Sequence, residues 1–113
     1  MKKTAPRLAP WQIAGIARLF GALAEVSRIR LLQALMAGPA TVGELVHRTG
    51  LQQANTSRHL SGLLAARLVE RQRKGKFVMY SIGDPLVYRL CALVCGKLDR
   101  EVQKAASNLR KAI

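Results

Sequence analysis

Two sets of side chains carry chemistry by their type and spacing. The first is polar: Gln53, Asn55, Thr56, Ser57, Arg58 and His59 crowd seven positions just ahead of Leu60, Leu63, Leu64 and Leu68. The amides of Gln53 and Asn55 match adenine N6 and N7, and Arg58 can fork onto guanine O6 and N7. Thr56 and Ser57 suit phosphate or the thymine methyl, and His59 reads as a DNA-facing or capping residue. A little further on, Arg71, Arg73, Lys74 and Lys76 surround Gly75, a charge arrangement suited to phosphates or the minor groove. The second set is Cys91 and Cys95. Four residues apart on a helix, two thiols stand about 6 Å apart along the axis, close enough to share arsenite or a soft metal ion or to meet a thiol oxidant. Two donors are fewer than the usual three or four, so a partner chain would have to supply the rest. His47 and His59, the two histidines, do not lie near these thiols in sequence, and His47 reads as a surface residue.

Composition narrows the partner. The 113 residues suit one domain, with half the residues hydrophobic and 4% aromatic, so the core must come from Leu, Ile, Val and Ala, a helical composition. Nineteen Lys and Arg against six Asp and Glu give a formal charge of +13, spread along the whole chain. A charge that far from zero repels itself unless a polyanion is near, which makes nucleic acid or an anionic membrane the default partner. Arg7, Pro10 and Arg18 interrupt the apolar start that follows Met1-Lys2-Lys3, so no signal peptide is expected. No stretch reaches the roughly 18 apolar residues of a membrane span, and the expected location is the cytoplasm. Two cysteines in such a chain are expected to be reduced.

The elements that must position these residues are legible from periodicity. Residues 1–9 are expected to be disordered and 10–113 to form the DNA-binding and dimerisation domain. Pro10 suits a first helical turn, and Ile13, Ile16, Ala17, Phe20, Leu23 and Ala24 lay one apolar stripe along the helix it opens. Ser27 is expected to cap a second helix, apolar all round through Ile29, Leu31, Leu32, Leu35 and Met36 and ended by Gly38-Pro39. Thr41 and Glu44 fit a capping box opening a third, short helix that stops at Gly50. The polar set then opens a fourth. From Leu68 the period becomes two, predicting a basic hairpin that turns at Gly75. Asp84-Pro85 opens a last helix reaching about Arg110, with Tyr88, Cys91, Cys95, Leu98, Val102, Ala105 and Leu109 in a coiled-coil-like seam. In that seam the cysteines can serve simply as small apolar residues.

A short helix, a tight turn, a helix with a polar N-terminal end and a basic hairpin follow the order of a winged helix-turn-helix. The expected fold is mainly α with one small β-hairpin (α-α-α-α-β-β-α), affinity coming from the wing and specificity from the fourth helix. The competing reading is a solvated polar helix face and a charged edge hairpin of the kind that resists aggregation.

Leu23-Ala24-Glu25, Arg28-Ile29-Arg30-Leu31-Leu32, Val42-Gly43-Glu44-Leu45, Ser57-Arg58-His59-Leu60 with Leu63, and Gly75-Lys76 with Tyr80 together resemble the ArsR/SmtB family of bacterial repressors over roughly Phe20 to Leu93. The resemblance implies a dimer held by the first and last helices, a recognition helix near Gln53 to Leu64, a wing near Val69 to Ile82, and release of DNA by an effector. Gln52 stands where many relatives carry a Ser cap. The family's cysteine site in the third helix has no counterpart, since Gly43 to Arg48 holds no cysteine. Its last-helix metal positions fall near Asp84, Leu86, Lys97 and Arg100, of which only Asp84 can ligate, so the zinc-type site is absent. The second-helix thiol of persulfide- and oxidant-sensing relatives aligns near Gln33, which argues against that mechanism.

The leading expectation is therefore a homodimeric repressor, with Ile13, Ile16, Phe20, Cys91, Cys95, Leu98 and Val102 in its interface and an inverted repeat in double-stranded DNA as its site. It requires no cofactor, and arsenite, a thiophilic metal ion or a thiol oxidant acting on Cys91 and Cys95 is the candidate signal. The alternatives are a repressor of the same fold without thiol sensing and a sequence-indifferent architectural DNA-binding protein, which salt dependence and competitor DNA would separate. An enzyme is not expected: Glu25, Glu44, Glu70, Asp84, Asp99 and Glu101 are scattered over separate elements, and there is no phosphate-binding glycine loop. Membrane binding through the last helix is set aside, since dimer packing is a better use of its apolar stripe.

Overall fold

The computed structural model describes residues 5–112, so the expectation of disorder over 1–9 falls partly outside the described residues. Seven elements follow in order: α1 (Pro10–Leu23), α2 (Val26–Met36), α3 (Val42–Thr49), α4 (Gln53–Ala65), β1 (Val69–Lys74), β2 (Phe77–Ile82) and α5 (Leu86–Ala112). They form two compact units, one ending at Gly83 and one starting at Asp84.

The first unit is built on leucine. Leu31, Leu32 and Leu35 of α2 meet Leu45 of α3 and Leu60 and Leu63 of α4, all at 2% exposure or less. Each such burial stabilises by roughly 1.5–3 kcal/mol relative to an exposed side chain, so the three-helix junction dominates the unit's stability. Ala40 closes it from one side. Its amide and carbonyl pair with those of Tyr80 at 3.0 and 2.8 Å, adding a one-residue third strand to the hairpin and tying the α2–α3 turn to β2.

The helix ends follow local chemistry. Thr41 Oγ1 accepts from the Glu44 amide at 3.2 Å while Glu44 Oε1 accepts from the Thr41 amide at 3.1 Å, the expected reciprocal capping box. Gly50 ends α3 in the left-handed region at φ 72°. Two expectations need correction. Ser27 lies inside the first turn of α2 and Glu25 takes the cap position, so Ser27 caps nothing. Nor is α2 buried all round: Val26 and Ile29 are 73% and 43% exposed, because the core contacts only the Leu31–Leu32–Leu35 side.

α4 ends in a Schellman motif. Leu68 N–H donates to Leu63 O and Arg67 N–H to Leu64 O, both at 3.0 Å, with Arg67 at φ 59°. An arginine fills the left-handed position where glycine is usual. The hairpin runs antiparallel from Val69↔Ile82 to Lys74↔Phe77, with Gly75 and Lys76 at its tip and Gly75 at φ 62°.

The second unit is α5 with its cap. Asp84 Oδ1 accepts from the Leu86 amide at 2.9 Å, as expected of an aspartate ahead of Pro85. Of the helix's 27 residues only Val87 is buried, and Tyr88, Leu98, Val102 and Leu109 are 48–69% exposed. No described helix is long and apolar enough to cross a membrane.

Candidate nucleic-acid interface

The site grows from the N-terminal end of α4. Gln52 supplies no side-chain cap. Its carbonyl accepts from both the Thr56 amide (2.9 Å) and the Thr56 hydroxyl (2.8 Å), so the first turn is closed from inside. This leaves Gln53, Asn55, Ser57 and Arg58 exposed on one side of the helix, free to meet a groove.

Thr56 and His59 belong to the core, which corrects their expected place at the DNA surface. Thr56 is fully buried and its hydroxyl is spent on Gln52. His59 is 3% exposed; its Nδ1 accepts from Arg28 Nε at 3.2 Å, and Glu25 Oε2 lies 3.1 Å from the same nitrogen. Arg28 also donates from Nη1 to the Ala22 carbonyl at 3.2 Å. One guanidinium thus ties the end of α1, the start of α2 and the middle of α4 together. The signal was in the spacing: positions 56, 59, 60 and 63 share one helical face, and two leucines already marked that face as core.

In the wing, Arg71, Arg73, Lys74 and Lys76 are all exposed. Cross-strand pairing puts Arg71 and Arg73 on one face, opposite Tyr80 and Val78, and Lys74 on the other, opposite Phe77. The Lys76 ammonium stands 5.6 Å from the centre of the Phe77 ring, within cation–π range, which holds charge at the tip. Glu70 is the single carboxylate in the hairpin. His47 is exposed at the C-terminal end of α3.

Glu44 has its carboxyl held below its ordinary 4.5, first by the Thr41 amide and then by the Thr41 hydroxyl; desolvation opposes them, and nearby Arg48 adds the smallest lowering. It remains ionised at neutral pH and keeps α3 capped.

On α5, Cys91 is half-buried and Cys95 exposed, both as free thiols. Among the described residues no group of three or more His, Cys, Asp or Glu is placed to hold a metal, so one chain does not form a complete site around these two sulfurs. Ile13, Ile16 and Phe20 of α1 are 40–56% exposed.

A three-helix core, a helix whose N-terminal polar residues face outward and a basic hairpin directly after it make the first unit a winged helix-turn-helix. Known proteins place it further. The family model described as bacterial regulatory protein, arsR family, matches residues 25–71. A probable mercury resistance operon repressor of Streptomyces lividans is 43% identical over 77 residues, covering 68% of this chain and 62% of that protein's length. The crystal structure of Mycobacterium tuberculosis Rv0081 superposes with a TM-score of 0.78 at 32% identity over 88% of this chain and 99% of that one. The homodimeric winged helix-turn-helix DNA-binding domain Mb0332 of Mycobacterium bovis gives 0.74 at 32% identity, covering 81% and 85%. The chain belongs to the ArsR family of bacterial regulatory proteins.

Proposed function

We propose that this protein is a sequence-specific, DNA-binding transcriptional repressor that acts as a homodimer, with no catalytic activity of its own. The observation that carries the reading is the outward set Gln53, Asn55, Ser57 and Arg58 at the N-terminal end of α4, followed directly by four exposed wing cations. Helix N-terminal residues of these types read base edges in the major groove, while the wing neutralises phosphates. The relative from S. lividans is named as an operon repressor and Mb0332 as a homodimer, which supports both halves of the proposal.

The dimer uses the first and last helices. Ile13, Ile16 and Phe20 on one, and Cys91, Cys95, Leu98 and Val102 on the other, present apolar side chains that a second copy would cover. Two-fold symmetry then sets two recognition helices about 34 Å apart on an inverted repeat. The same symmetry brings two pairs of thiols to the interface, enough donors for a shared soft-metal or arsenite effector. A cytoplasmic location follows from this role.

The test is titration of labelled DNA from upstream of the protein's own gene at near-physiological salt. It is run with and without arsenite, Cd²⁺ or an oxidant, on the wild type and on the Cys91→Ser/Cys95→Ser variant. We expect specific binding that an excess of competitor DNA does not abolish, with release by a thiophile in the wild type alone. Binding indifferent to DNA sequence would replace the repressor with an architectural protein, and specific binding deaf to every thiophile would leave the cysteines as packing residues.

A further inference from the structure

A cleft of about 460 Å³ opens between α1, α2 and the C-terminal end of α4, away from the polar end of the recognition helix. Its floor is apolar, from Leu19, Ala22, Ala65 and Ala66, and its charged lining is three arginines, Arg18, Arg28 and Arg67, with no carboxylate among the described lining residues. Guanidiniums gathered in one cleft repel one another, a state an oxyanion relieves, and the Glu25 carboxylate near Arg28 stands beside His59, outside this lining.

Two features show this lining to be built rather than incidental. Arg28 is fixed in place: Nε and Nη1 are used by His59 and the Ala22 carbonyl, and Nη2 has no partner among the described residues. Its guanidinium packs against Gly62, where a Cβ would come within 2.6 Å of Nη2 and 2.8 Å of Cζ, so the absence of a side chain at 62 is what leaves the guanidinium room. Arg67 holds the left-handed position of the Schellman motif at φ 59°, which a glycine would hold without strain. A strained non-glycine residue calls for a use of its side chain, and here that side chain lines the cleft.

We infer that this cleft binds a small organic oxyanion, a carboxylate or phosphate monoester on a compact apolar body, with Arg28 as the preoriented donor and Arg18 and Arg67 closing over it. The apolar lining would take the body of such a ligand and the guanidiniums its anionic end. The site is distinct from the two cysteines and does not depend on the DNA-binding reading.

Calorimetric titration of the full chain with benzoate, phenyl phosphate and the uncharged control benzyl alcohol tests this, using the wild type, Arg18→Gln and Arg67→Gly. Arg28 is left alone because it also ties three helices together. We expect saturable binding, one ligand per chain, for benzoate, phenyl phosphate or both, none for benzyl alcohol, and at least about tenfold weaker binding in each variant. Comparing the two anions tells a carboxylate site from a phosphate site. The inference is overturned if no anion binds saturably, or if binding survives both substitutions and is matched by sulfate, which would be screening of the +13 charge. It is also overturned if either substitution changes the oligomeric state, making the cleft a contact between copies. Uniformly weakened DNA binding in the variants with no anion binding would likewise overturn it, making the arginines phosphate-backbone contacts.

Discussion

Arg58 and His59 are neighbours in sequence and opposites in structure, and replacing each by alanine separates recognition from folding. Arg58 is exposed, so Arg58→Ala removes no core contact; its stability should stay within about 0.5 kcal/mol of wild type. Loss of a bidentate base contact costs about 1–3 kcal/mol, a fall in DNA affinity of roughly 5- to 150-fold. His59→Ala empties a buried position and strips Arg28 Nε of its acceptor, leaving Glu25 without its histidine neighbour. Cavity and broken hydrogen bond together cost about 3 kcal/mol. For 113 residues the unfolding entropy is about 0.24 kcal/mol per kelvin, so the Tm should drop by about 12 °C. Thermal unfolding by circular dichroism reads the second effect, and anisotropy titration well below the variant's Tm reads the first. A His59→Ala protein that keeps its Tm within about 2 °C and loses DNA affinity as Arg58→Ala does would refute the placement of His59 in the core.

Four further outcomes follow from the same geometry. Replacing Arg71, Arg73, Lys74 and Lys76 singly by Gln should weaken DNA binding about equally on all sequences, and each phosphate left without its cation should reduce the slope of log K against log salt by about 0.9; a change in base preference would show the wing reading sequence. Arg67→Gly should raise stability by about 1 kcal/mol, about 4 °C in Tm, because glycine holds the left-handed position without strain; a lower Tm would mean the arginine side chain contributes more to the fold than its backbone costs. Thr41→Ala should cost about 1 kcal/mol by removing the α3 cap, read as a lower midpoint in urea. Since the Glu44 carboxyl is held below its ordinary 4.5, its stabilisation is complete above that value and disappears as pH falls through its lower folded value, so Glu44→Gln should lack this acid limb in a pH series of unfolding curves.

Periodicity and local capping chemistry carried most of the architecture into the sequence. The stripe of α1, the Thr41–Glu44 box, the change to period two after Leu68 and the Asp84 cap are contacts within a few residues, and local contacts leave local signatures. What stayed hidden required distance along the chain. The Ala40–Tyr80 bridge joins residues forty apart, and nothing in an alanine before a threonine announces a strand partner. The Arg28–His59 hydrogen bond spans thirty-one positions, so Arg28 reads in sequence as one more surface cation and His59 as one more polar residue on the recognition helix.

Thr56 and His59 differ from these cases, because their burial could have been read. Here residue type and spacing point opposite ways: a threonine and a histidine beside Asn55, Ser57 and Arg58 suggest a groove, whereas their positions put them in line with Leu60 and Leu63. A polar residue on an apolar stripe needs a partner before it can be core. For Thr56 that partner is local, the Gln52 carbonyl, which also accepts from the Thr56 amide. For His59 it is Arg28, whose remaining edge faces the arginine-lined cleft. The residue that ties α4 to the ends of α1 and α2 is thus the same one that would hold an anion. Occupancy of that cleft would therefore act on the guanidinium to which His59 is bonded.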